Sequence, residues 1–81
     1  MERDVTLSIH LTEDSKETEA TAVLDLRGEH FEARGRARRN PLDPNLPVVG
    51  EELAIARAMS ALESELMDRA HDKINQFLGR W

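Results

Sequence analysis

The feature that most constrains this chain is one change in the spacing of its apolar residues, from every second position to every third or fourth. In "VTLSIHL", Val5, Leu7, Ile9 and Leu11 alternate with Thr6, Ser8 and His10, as in a strand with one buried face. After the polar turn "EDSK", the run "TEATAVLDL" puts Thr18, Ala20, Ala22, Leu24 and Leu26 on one side and Glu19, Thr21, Val23 and Asp25 on the other. "RGEH" then offers a two-residue Gly28-Glu29 connection of type II′, and "FEARGRA" continues the alternation. Further along, the period becomes helical. The pattern predicts an α+β fold in a single domain, 1–81: a three-stranded antiparallel meander with one long C-terminal helix packed on one face (β-β-β-α). Its strands are expected over about 4–12, 17–27 and 30–38, a loop over 39–50 and the helix over about 51–78.

Closing the second hairpin at Gly28 and Glu29 sets Leu26 opposite Phe31, Leu24 opposite Ala33, Ala22 opposite Gly35 and Ala20 opposite Ala37. Closing the first over Glu13 to Lys16 sets Ile9 opposite Ala20, Leu7 opposite Ala22 and Val5 opposite Leu24. One face is then apolar across all strands, and its Ala and Gly centre leaves a trough in which a helix axis can lie close to the sheet. That helix opens with Glu51 and Glu52 in its first turn, favourable to the dipole, and Gly79 is a suitable stop. Ile55, Met59, Leu62, Leu66, Ala70 and Phe77 form its apolar stripe, and Arg57, Glu63, Glu65, Asp68, Asp72 and Lys73 its polar face. All three prolines fall in "NPLDPNLPVVG", read as an irregular connection. A helix of this length runs roughly 40 Å against strands of ~25 Å. Either it breaks near Asp72, or its overhanging Ile74, Phe77, Leu78 and Trp81 form a subunit contact.

With 81 residues there is little room for a wide active-site cleft on top of a minimal core. The absence of cysteine excludes disulfides, thiolate zinc sites and thiol nucleophiles, and fits a reducing compartment. Without such a staple, a core this thin points to a homo-oligomer. No apolar run reaches the ~18 residues of a membrane span, and "MERDVTLSIH" is charged where a signal peptide is apolar, so a cytoplasmic location is expected.

Four arginines fall within six residues of "FEARGRARRN", although the chain carries a net charge of −5. In the expected register Arg34, Arg36 and Arg38 form a row on the outer face of the third strand, with Arg39 beyond, and only Arg38 has a carboxylate, Glu19, directly opposite. The row reads as charge that guards a sheet edge, as an anion-binding site for nucleic acid or another polyanion, or as an intersubunit salt-bridge surface. Removing the window leaves 7 basic against 16 acidic residues, and Phe31, Phe77 and Trp81 do not interleave with the arginines; both facts argue against nucleic acid. The same register gathers Asp4, Asp25 and Glu32 into one outer row, a like-charge arrangement that recruits arginine, binds a cation or frays. His30 and Glu32 share a strand face, at most a metal pair. His10, His30 and His71 fit no nucleophile or metal spacing and no Gly-rich phosphate loop is present, so no catalytic residue, metal or cofactor is expected.

The segment "GRARRNPLDPNLPVVGEELAIARAMSALESEL" resembles a family of small actinobacterial proteins of unknown function. The resemblance lies in the G-x-A-R segment, the P-x-D-P loop and above all the helix start Gly50 to Met59, with Met59 where the family pattern has Leu. It implies a domain of three strands and a helix similar to the double-stranded-RNA-binding (dsRBD-like) fold, and implies no activity. This chain lacks a helix before the strands and opens its final helix with Glu51 and Glu52, where that RNA-binding fold places lysines for phosphate. The function expected from sequence is therefore unknown in detail: a non-enzymatic, self-associating protein or protein-interaction module, with polyanion binding through Arg34, Arg36, Arg38 and Arg39 as the alternative.

Overall fold

Each hairpin is closed by a short loop, of three residues in the first and two in the second, whose backbone chemistry sets the strand register. In the computed structural model, which describes residues 1–40, 42, 44 and 46–78, the order is β1 (Leu7–Glu13), β2 (Glu17–Leu26), β3 (Glu29–Arg38) and α1 (Pro47–Leu78). The strands form one antiparallel sheet in the order β1-β2-β3. At the first hairpin the Asp14 amide donates to the Glu17 carbonyl (3.0 Å), and Asp14 Oδ1 accepts from the amides of Lys16 (2.7 Å) and Glu17 (2.9 Å). At the second, Arg27 (φ 49°) and Gly28 (φ 83°) are both left-handed, as a type I′ turn requires.

The expected II′ turn at Gly28-Glu29 is thereby corrected: Gly28 is the second loop residue, and Glu29 already belongs to β3. Leu24 lies opposite Phe31, Ala22 opposite Ala33, Ala20 opposite Gly35 and Thr18 opposite Ala37. On the other side Leu7 lies opposite Leu24, Ile9 opposite Ala22 and Leu11 opposite Ala20. Both pairings differ from the expected ones by a slip of two residues. Side chains alternate with period two, so an even slip exchanges partners and leaves every residue on its expected face.

α1 begins earlier than its acidic residues suggest. Leu46 O accepts from the amides of Val49 (3.1 Å) and Gly50 (3.3 Å), and Pro47 takes the first helical position, where its missing N–H costs nothing. Pro47 therefore belongs to the helix, not to the loop, and Glu51 and Glu52 stand one turn inside it. The helix continues without a break through Asp72 to Leu78; the stop expected at Gly79 lies outside the described residues.

α1 packs on β3 and β2 along a line of small residues. A Cβ placed on Gly35 would stand 2.2 Å from Ala58 N and 2.3 Å from Ala54 O, so the helix backbone rests directly on the β3 backbone. Ala54 and Ala58 are fully buried, and with Leu62, Ala20, Ala22, Phe31 and Ala37 they make the core. The buried line thus runs through Ala54, Ala58 and Leu62. Of the expected stripe, Ile55 and Leu66 only flank it, and Met59, Ala70 and Phe77 are exposed. Close approach selects the helix face with the smallest side chains, which is a step around from the face with the largest.

Replacing Gly35 with Ala is expected to cost about 3 kcal/mol, read as a lowered guanidinium midpoint, because no flexible group at the contact can move aside. Arg27→Asn relieves a left-handed arginine in a type I′ loop and is expected to gain about 0.5 kcal/mol in the same measurement.

Candidate functional site

The two faces of the sheet differ in what they offer. On the outer face the register places Arg38 opposite Glu17, Arg36 opposite Glu19 and Arg34 opposite Thr21. Arg36 Nη2 donates to Glu19 Oε2 (3.1 Å) and its Nε lies 3.8 Å from Glu17; Arg38 Nε is also 3.8 Å from Glu17, and Arg34 Nη2 is 3.7 Å from Glu32. Glu19, with Glu17 beside it, holds the Arg36 guanidinium above its ordinary value. The expectation that only Arg38 faces a carboxylate is corrected: three guanidiniums are matched by Glu17, Glu19 and Glu32. Arg39 Nε donates to the Ser15 carbonyl (3.2 Å), which ties the end of β3 to the first hairpin. The row is a charge-balanced surface.

The expected Asp4, Asp25 and Glu32 row is also corrected, because Asp25 lies opposite His30, and Glu32 opposite Val23. His30 stands between the two carboxylates, Nδ1 to Asp25 at 2.8 Å and Nε2 to Glu32 at 3.1 Å. The hydrogen bond to Asp25, then that to Glu32, raises the imidazole above 6.5. Since the carboxylates take opposite ring nitrogens, they do not converge on one point, and among the described residues no group of three or more His, Asp or Glu is placed to hold a metal.

Other charges fasten the helix to the sheet. Glu29, in the first position of β3, accepts from Arg69 Nη1 (3.2 Å) and pairs with Lys73, which lowers its carboxyl below the usual range. The Arg69 guanidinium lies 5.2 Å from the centroid of the Phe31 ring. Arg57 Nη1 donates to Arg36 O (2.7 Å) across the free edge of β3. An open cleft of about 600 Å³ lies where the first hairpin, the end of β3 and the start of α1 meet, lined by apolar Leu46, Val49 and Leu53 and by charges of both signs. The sequence pattern did not reveal it, because the 39–50 segment carries no periodicity.

The inner face is only partly covered. α1 lies over β3 and β2, and leaves β1 with Leu7 38% and Leu11 36% exposed. At the far end the helix outruns its anchor at Lys73: Phe77 is 78% exposed, Leu78 64%, and Ile74 half-buried. Trp81, expected beside them, lies outside the described residues. Among the described residues no helix is long and apolar enough to cross a membrane.

His30 is the side chain whose charge the site most plainly controls. Its raised value favours the folded state below pH 6.5, and that contribution is lost as pH rises through the folded-state value. The thermal midpoint is expected to carry a decline across this window that His30→Gln abolishes, and NMR titration should place the His30 midpoint above 6.5.

The profile of the family described as Rv2632c-like matches residues 3–81. Uncharacterized proteins of Mycobacterium bovis and Mycobacterium tuberculosis are 39% identical to this chain over 62 residues, which is 76% of this chain and 66% of theirs. The uncharacterized protein Rv2632c of Mycobacterium tuberculosis is 37% identical over 60 residues, 74% of this chain and 64% of its own length. The matched segment thus spans just under two thirds of these curated relatives. The crystal structure of Rv2632c superposes with a TM-score of 0.87 at 30% identity, covering 94% of this chain and 90% of that one.

Proposed function

The chain belongs to the Rv2632c-like family, and from that membership and the surface described above we propose that it is a non-enzymatic, self-associating cytoplasmic protein, a protein-interaction module. The observation that carries the reading is the apolar surface left open at the end of α1 and along β1. A disulfide-free chain of 81 residues with a core built largely of alanine gains more from covering such a surface than from any surface ion pair. The alternative, polyanion binding through Arg34, Arg36, Arg38 and Arg39, has to compete with Glu17, Glu19 and Glu32, which already neutralise the first three of these arginines.

Sedimentation equilibrium over a micromolar concentration series tests the proposal. The expected result is a mass above the 9.2 kDa monomer that survives an increase in salt. A monomer at every concentration removes self-association. In a parallel anisotropy titration, short double-stranded RNA is expected to show no saturable binding at physiological salt. Saturable binding that an Arg34/Arg36/Arg38 triple alanine variant abolishes supports the alternative instead.

A further inference from the structure

The two edges of the sheet are treated differently. The outer face along the β3 edge carries Arg34, Arg36 and Arg38, and Arg57 caps the edge carbonyl of Arg36. These are devices by which a sheet discourages strand addition. From Val5 to Thr12 the β1 edge carries no Asp, Glu, Lys or Arg and no proline, and among the described residues no strand pairs with it on its outer side.

The direction of the β1 backbone groups follows from the register. The Asp14 amide bonds to Glu17, and bonded pairs recur at every second residue of an antiparallel ladder. Thr12, His10 and Ser8 therefore exchange bonds with β2, while the N–H and C=O groups of Leu7, Ile9, Leu11 and Glu13 point outward. The same four residues belong to the face that meets the helix, so one row presents open hydrogen-bonding groups together with the apolar side chains of Leu7, Ile9 and Leu11 and, at its end, the Glu13 carboxylate.

We infer that the β1 edge pairs antiparallel with the β1 edge of a second copy of this chain about a two-fold axis at Ser8, joining the two sheets into one of six strands. The inference rests on the self-association proposed above and names its surface. An axis at Ser8 sets Leu7 opposite Ile9 of the partner subunit and Val5 opposite Leu11 of the partner subunit. It also sets Arg3 opposite Glu13 of the partner subunit, twice by symmetry, so each end of the paired region closes on opposite charges. Moving the axis to Ile9 or His10 puts Glu13 opposite Val5 or Leu7, an apolar partner, and loses the Arg3 pairing. The outer-face pairs at the Ser8 axis, Thr6 with His10 and Asp4 with Thr12, bring no like charges together. The pairing draws Arg3 to Thr6, which lie outside β1 in the single chain, into the ladder. The two helices then run antiparallel on one face, with Leu7, Ile9 and Leu11 of both copies between them.

The chain has no cysteine, so a single introduced thiol reads the register directly. Under mild oxidation Ser8→Cys is expected to form a covalent dimer readily, because cross-axis Cα atoms of a non-bonded antiparallel pair stand about 4.5 Å apart, within disulfide range. Thr12→Cys is displaced from its symmetry mate by several residues and is expected to remain monomeric on a denaturing gel. In the unmodified protein, hydrogen exchange is expected to protect the Leu7, Ile9 and Leu11 amides as concentration rises, while Ser8, His10 and Thr12 are protected throughout. If sedimentation finds a dimer in which Ser8→Cys does not cross-link and the Leu7, Ile9 and Leu11 amides exchange freely, the edge assignment is overturned and self-association stands, with Phe77→Asp as the variant that then dissociates it. A monomer at all concentrations overturns both.

Discussion

The contact on which the structure depends is that of Gly35 with the backbone of α1 at Ala54 and Ala58. A sheet and a helix ordinarily meet through a layer of interdigitated side chains. Here the missing Cβ lets backbone approach backbone, and the neighbours must be small for the same reason: Ala20, Ala22 and Ala37 on the sheet, Ala54 and Ala58 on the helix. Large residues are displaced to the flanks, where Phe31 and Leu62 fill the space that opens as the helix draws away from its closest point. A core of this kind buries little area per residue. It leaves Met59, Leu53 and Phe77 at the surface, although a thicker interface would have enclosed some of them.

Charge takes over where the core ends. Glu29 gathers Arg69 and Lys73, and Arg57 reaches the β3 edge, so the helix is tied to the sheet on both sides of the Gly35 contact. On the outer face Glu17, Glu19 and Glu32 neutralise Arg34, Arg36 and Arg38 within the chain. The protein's concentration of positive charge is therefore answered locally, and its surface is polarised by apolarity: a guarded β3 edge, and a β1 edge that is uncharged from Val5 to Thr12.

Much of this was legible in the residues. Alternation in "VTLSIHL" and "TEATAVLDL" assigned each strand residue to its face, and those assignments hold in the structure. Partner identity was not legible, because period-two patterning is blind to a slip of two residues. The turns decide it, and "RGEH" gives no sign that an arginine will occupy a left-handed position so that Gly28 can come second. That slip made the arginine row look unbalanced when in fact Glu17 and Glu19 stand across from it. The cleft by the first hairpin was invisible for a related reason, since it is assembled from three chain segments that only the tertiary fold brings together.

By itself the sequence determined the order of elements, the two faces of the sheet and the small-residue trough, since these follow from local periodicity and from glycine and alanine at fixed positions. Only the tertiary structure decided which helix face is buried and which strand edge stays open. Hydrophobicity alone favoured the stripe through Ile55 and Met59, and contact distance chose Ala54 and Ala58. A helix that settles this low on β3 and β2 meets β1 only at its margin, where Ile9 packs against the core while Leu7 and Leu11 stay exposed. The open edge is a consequence of where the closest approach falls, and no pattern along the chain encodes it.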